Sequence, residues 1–209
     1  IENKIKINLS NYKISVSPKI IAVSKTFKID KIKPLIDHGH IDFGENKVQE
    51  AVEKWSQIKI AKPHIKLHLI GKLQTNKVKF AVKLFDYIHS VDSEKLARKI
   101  SDESLKLNKK IKIFIQVNIG NESQKSGVNK NELSNLVNYC LTLNLELIGL
   151  MCIPPEGHDS TNYFKEMKDL NHNFNLSDLS MGMSGDYLKA VENSSTFLRI
   201  GSSIFGQRF

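Results

Sequence analysis

Eight times along this chain a short apolar run ends in a turn or polar residue and gives way to a segment with helical spacing of its apolar side chains. The runs fall at residues 20–25, 41–44, 67–70, 87–91, 111–119, 145–153, 178–182 and 196–200. Between them lie sets such as Val48, Ala51, Val52 and Trp55, or Phe164, Met167, Leu170 and Phe174, which share one helix face. Runs such as Ile20-Ile21-Ala22-Val23 read as strands buried on both faces, the signature of a parallel sheet walled by helices. Eight such units with right-handed crossovers close into a (β/α)8 TIM barrel, expected here as a single domain over residues 1–209. A doubly wound open sheet makes less of the spacing, and no Gly-x-Gly-x-x-Gly follows the first strand. Only nine residues follow Ile200, so a full eighth helix has no room. A weak N-terminal helix with Ile1, Ile5 and Leu9 is therefore expected to cover the seam between the last and first strands. Locally, Asp30 reads as an N-cap, Pro34 as a first-turn proline and Gly39 as a helix stop.

Thirty-one Lys and Arg against twenty-two Asp and Glu give a formal charge of +9, which favours anionic ligands. The basic residues are interleaved with acidic ones, with no long basic block, so no nucleic-acid partner is expected. Cys140 and Cys152 imply no disulfide framework, and no His, Cys, Asp and Glu set has zinc spacing. No apolar stretch has the length of a signal peptide or a membrane span, so the expectation is a cytoplasmic protein without a membrane partner.

Lys25 ends the first strand at the face where α/β barrels bind ligands. Loops after the seventh and eighth strands frequently hold phosphate in such barrels, and both are rich in small residues here: Ser180-Met181-Gly182-Met183-Ser184-Gly185 and Gly201-Ser202-Ser203. Glycine lets an oxyanion approach backbone N–H groups, and Ser184 and Ser202 add hydroxyl donors. An amine and a phosphate site on one barrel mouth suit pyridoxal 5′-phosphate, whose aldehyde and phosphate lie on different edges of one ring. Arg199 shares parity with Gly201 and points inward, where its guanidinium can hydrogen-bond the pyridine nitrogen; a structural ion pair is the other reading. His68, a single strand histidine, stays outside the expected site as a hydrogen-bonded structural residue.

The ordered motifs Ala22-Val23-Ser24-Lys25-Thr26, Phe43-Gly44-Glu45-Asn46, His68-Leu69-Ile70-Gly71, Lys125-Ser126-Gly127, Ser180-Met181-Gly182-Met183-Ser184 and Arg199-Ile200-Gly201-Ser202-Ser203 run through nearly the whole chain. In them the sequence resembles the YggS/PROSC family of pyridoxal phosphate homeostasis proteins, relatives of the alanine racemase barrel. The resemblance implies a cofactor held as a Schiff base on Lys25, with Arg199 beside the ring nitrogen. It implies Ser184, Gly201 and Ser202 around the phosphate, with Asn46 lining the pocket. It also implies a non-enzymatic, monomeric protein of cofactor homeostasis, whose partners are pyridoxal 5′-phosphate and the enzymes that depend on it. The rival is a pyridoxal-phosphate-dependent amino-acid racemase, which draws a second catalytic base from an extra β domain for which these 209 residues leave no room. Lys125, in the loop 120–127, has no evident means of being held rigidly as such a base. Leu67 and Leu69 depart from the family's bulkier residues and are expected to alter packing beside the ring.

Overall fold

Parallel pairing closes on itself through β1 (Lys19–Val23), β2 (Asp42–Glu45), β3 (Lys66–Leu69), β4 (Tyr87–Val91), β5 (Lys112–Val117), β6 (Glu146–Cys152), β7 (Asp178–Met183) and β8 (Phe197–Ile200), with β8 returning to β1. This closed barrel is the expected (β/α)8 architecture. The computed structural model describes residues 1–207; of the span 1–209, the last two positions lie outside the described residues. The helices are α1 (Glu2–Tyr12), α2 (Ile29–Asp37), α3 (Val48–Ala61), α4 (Val78–Leu84), α5 (Glu94–Lys106), α6 (Leu133–Leu141), α7 (Thr161–Asn173), α8 (Tyr187–Glu192) and the short α9 (Ser202–Phe205).

Period-two alternation sorts each strand into two faces. Outward residues such as Phe43, Leu67, Leu69, Ile113 and Ile115 join Trp55 of α3 and Phe164 of α7 in a layer between barrel and helices. Phe43 and Trp55 meet at 4.9 Å between ring centroids, and full burial of a ring such as that of Phe43 contributes about 1.5–3 kcal/mol. Inward residues Ile21, Tyr87, Phe114, Met151 and Phe197 form a separate cluster inside the barrel. Leu67 and Leu69 therefore face the helices, and the expectation that they alter packing inside the pocket is corrected by strand parity.

Helix boundaries follow local chemistry with two departures. Ser93 caps α5, its Oγ accepting the Leu96 N–H at 3.4 Å, and Gly39 stops α2 at φ +94°. Asp30, however, lies in the first turn of α2 rather than at its cap, which Lys28 occupies, and Pro34 sits inside that helix. An acid in the first turn still faces the positive end of the helix dipole. A 3₁₀ turn at Thr75–Lys77 leads into α4. At the seam, Ile5 of α1 is buried in the outer core and Asn8 donates to Glu192 of α8 at 3.1 Å.

Candidate functional site

A cavity of about 680 Å³ opens at the carboxyl ends of the strands. Lys25, Asn46, Ser184, Arg199, Gly201 and Ser202 all line it, although they come from four separate stretches of the chain. Ile70, Gly71 and Met183, named in the sequence only as parts of motifs, and Ile153 add further walls. Its volume lies within the range of small-molecule sites, about 300–1,000 Å³. A Cβ on Gly71 would stand 2.2 Å from the Asn46 carbonyl oxygen, so only glycine lets the loops after β2 and β3 approach closely enough to bring Asn46 to the cavity. The side-chain oxygen Oδ1 of Asn46 is buried and has no hydrogen-bond partner among the described residues.

Lys25 follows Ser24 at the end of β1, and the backbone on both sides of it is fastened by charge. Glu45 is fully buried, and its Oε1 accepts from Ser24 Oγ at 2.7 Å, Trp55 Nε1 at 2.9 Å and Lys54 Nζ at 2.9 Å. The Lys54 ammonium also donates to the Ser24 carbonyl at 2.9 Å and to Glu50 Oε1 at 3.0 Å. Glu50 in turn accepts the Thr26 N–H at 2.6 Å. Thr26 sits at φ +69°, a left-handed conformation that a β-branched residue adopts only when its surroundings impose it. Partial burial alone would raise the Glu50 carboxyl, but the Thr26 N–H and the Lys54 ammonium outweigh it and hold it below the usual value.

On the opposite side, one extra residue on β7 shifts its register against β8 between the pairs Ser180/Phe197 and Met183/Arg199, with Gly182 at φ +91° inside the bulge. Arg199 is buried, and burial lowers its pKa. Its Nη1 donates to Ser180 O at 2.6 Å and Ser180 Oγ at 2.7 Å, and its Nη2 to Cys152 O at 2.7 Å. No carboxylate pairs with it among the described residues, so the ion-pair alternative does not apply. Ser184 Oγ accepts the Gly201 and Ser203 N–H groups at 3.3 and 3.4 Å, long contacts that leave these donors weakly engaged. Ser202 is exposed at the rim.

His68 does not line the cavity; it is fully buried inside the barrel between Asp42 and His89. Asp42 and His89 were not singled out in the sequence, and their inward parity was the available signal. Lys125 is not loose, as expected, but is held by Glu122 Oε2 at 2.6 Å and the Pro154 carbonyl at 3.1 Å. It lines an adjoining cavity of about 300 Å³ that shares Ile70, Gly71 and Ile153 with the first. Burial pushes the Cys152 and Cys140 thiols up to about 12, far from a reactive thiolate. Among the described residues no group of three or more His, Cys, Asp or Glu is arranged to hold a metal ion, and no helix is long and apolar enough to cross a membrane.

Residues 2–208 match the family model of the alanine racemase N-terminal domain. The chain is 38% identical over 200 residues to the pyridoxal phosphate homeostasis protein of Aquifex aeolicus, covering 91% of this chain and 87% of that protein. It is 38% identical over 215 residues to the human pyridoxal phosphate homeostasis protein, covering 93% and 78%. PipY of Synechococcus elongatus, solved with pyridoxal phosphate bound, superimposes with a TM-score of 0.81 at 32% identity, over 97% of this chain and all of that one. Alanine racemase of Clostridium difficile shares the fold, with a TM-score of 0.73 at 15% identity, over 99% of this chain and 57% of that one. By its motifs, its barrel and these likenesses, the chain belongs to the family of pyridoxal phosphate homeostasis proteins.

Proposed function

We propose that this protein binds pyridoxal 5′-phosphate in the cavity between Lys25 and Arg199 and serves intracellular homeostasis of that cofactor without turning over a substrate. In this reading the barrel is one cofactor-binding unit, monomeric and cytoplasmic, and its partners are the cofactor and the enzymes that require it. The observation that carries it is the convergence of Lys25, Asn46, Arg199 and the Ser184, Gly201 and Ser202 turn on a single cavity. The donor set fits the group: the weakly engaged N–H groups of Gly201 and Ser203 and the nearby hydroxyls suit a phosphate, and the unpartnered Asn46 oxygen awaits a donor. When bound, the cofactor supplies an aldehyde carbon and an aromatic ring able to accept electron density.

Lys25 is the residue proposed to hold that aldehyde carbon as a Schiff base, its amine nitrogen bonding to carbon with loss of water. Five guanidinium N–H groups less the three bonds above leave two N–H groups of Arg199 without a partner among the described residues, available to a ring nitrogen. A guanidinium at that position keeps the nitrogen unprotonated and weakens the ring as an electron sink, which supports a holding role over amino-acid chemistry. PipY, described with pyridoxal phosphate bound, and the relatives named for its homeostasis support the same reading. The test is the absorbance spectrum of protein mixed with pyridoxal 5′-phosphate, before and after borohydride, followed by peptide mapping. A visible or near-ultraviolet band fixed by reduction, with the label on Lys25, is expected; a label on another lysine refutes the assignment.

A further inference from the structure

Inside the barrel, beneath the cavity, five polar side chains from five different strands form an unbroken row. Asp42 Oδ1 meets His68 Nε2 at 2.9 Å, and His68 Nδ1 meets His89 Nε2 at 3.0 Å. His89 Nδ1 meets Ser180 Oγ at 2.8 Å, and Ser180 Oγ meets Arg199 Nη1 at 2.7 Å. The rings are wedged in the aromatic interior: His68 stacks on Tyr87 at 4.2 Å and 10°, and His89 on Phe114 at 4.3 Å and 19°. His68, His89 and Ser180 are wholly buried, so each contact must be satisfied within the protein. The Asp42 end borders a second opening of about 390 Å³ at the amino-terminal face, beside Lys19 and His40.

With both imidazoles neutral, the proton positions along this row follow from its two ends, a carboxylate that only accepts and a guanidinium that only donates. A neutral His68 carries its proton on Nε2, facing the Asp42 carboxylate, so its Nδ1 accepts and His89 Nδ1 in turn is left as an acceptor for the Ser180 hydroxyl hydrogen, while a lone pair of Ser180 Oγ accepts from Arg199. His89 is then protonated at Nε2 and donates to His68 Nδ1. Every donor has an acceptor. Any other tautomer sets two hydrogens or two lone pairs against each other in a dry interior.

We propose that Asp42, His68, His89 and Ser180 are a positioning relay for Arg199, a directed row of hydrogen bonds that fixes the guanidinium and leaves two of its N–H groups for the cavity. The positioning role rests on the reading that Arg199 meets a ring nitrogen; the row of hydrogen bonds does not. The relay is tested first on wild-type protein free of cofactor, ¹⁵N-labelled at histidine. At neutral pH both imidazoles are expected as the Nε2–H tautomer, with a coupling across the hydrogen bond between His89 Nε2 and His68 Nδ1. An Nδ1–H tautomer at either residue overturns the relay.

The second arm titrates pyridoxine 5′-phosphate, which lacks the aldehyde and so reports non-covalent binding. Ser180→Ala removes one anchor of Arg199 and the donor to His89, and is expected to weaken binding about three- to tenfold. Asp42→Asn keeps an acceptor for His68 and is expected to stay within about twofold of wild type. Ser180→Ala with wild-type affinity overturns the positioning role. Wild-type protein with the stated tautomers but no affinity for pyridoxine 5′-phosphate overturns the functional reading and the positioning role together, and leaves the hydrogen bonds standing.

Discussion

The two flanks of the cavity hold a cationic side chain by opposite means. Around Lys25 the backbone is fastened by full charges, with Lys54 bridging Glu45 and Glu50 and fixing the strained turn at Thr26. Arg199 is gripped by neutral oxygens alone: two carbonyls and a serine hydroxyl, backed by two imidazoles. Charge on the first flank is consumed among the protein's own groups. On the second, no carboxylate among the described residues touches the guanidinium, so its charge remains directed at whatever occupies the cavity. One flank thus secures a main chain, and the other preserves a field.

The largest effect expected separates the two flanks outright. Lys25→Ala removes the amine and leaves the β7–β8 flank untouched, so covalent attachment should vanish while weaker, phosphate-directed binding survives. Borohydride trapping measures the first and titration with pyridoxal 5′-phosphate the second. Retention of the reduced adduct in the variant, or total loss of affinity, contradicts the division of labour.

Next in size is the charged cluster itself. Lys54→Met leaves Glu45, with a side chain wholly out of water, without its ammonium partner. Breaking such a buried pair typically costs about 3–5 kcal/mol. Urea unfolding should show that loss, and a change below about 1 kcal/mol would mean that the Ser24 hydroxyl and the Trp55 indole suffice to hold the carboxylate.

A smaller effect is expected at the turns after β7 and β8. Ser184→Ala with Ser202→Ala should weaken binding of the phosphorylated cofactor by about 1.5–3 kcal/mol and leave pyridoxal nearly unaffected, because only an oxyanion uses those donors. Equal weakening toward both ligands would remove these serines from the phosphate site.

The same two flanks show what the chain reveals unaided. The barrel is legible because doubly buried strands announce themselves as apolar runs; β4, expected at 87–91, spans Tyr87–Val91, and most other strands shift at their ends by one or two residues. Lys25, Arg199 and the small-residue turns are legible because a barrel's carboxyl face is known once its strands are placed. The polar row was not. Asp42, His68 and His89 sit on three strands as isolated polar residues, and although parity turns them inward, only the stagger of neighbouring strands decides which of them touch. The Glu45–Lys54–Trp55 cluster was hidden for a related reason, since a strand residue meets its own following helix only after the turn between them has set their angle. The cap at Lys28 in place of Asp30 is a boundary shift too small for periodicity to detect.

The gentlest perturbation, acid, should take the flanks apart in sequence. Burial lowers His68, against the pull of Asp42 and Asp86 and with the help of Lys19, and it holds His89 well below 6.5, with His68 and Arg199 adding to the effect. Tyr87 and Phe114 stack on the two rings and Ser180 is a neutral hydroxyl, so they bring no compensating charge. Below about pH 6.5 the unfolded chain therefore binds protons that the folded chain refuses, and stability present above that value is lost as pH falls toward the folded pKa values. Each histidine contributes at most about 1.4 kcal/mol per pH unit. Glu50 is also depressed, from an ordinary 4.5, so its contribution is complete above that value and fails only as pH drops further. Urea midpoints measured from pH 7.5 to 3.5 should first decline below about 6.5, with a second loss setting in below about 4.5. A midpoint that stays level between pH 6.5 and 5.5 would show that the imidazoles accept protons inside the barrel, and the fixed tautomers of the Arg199 flank would fall with it.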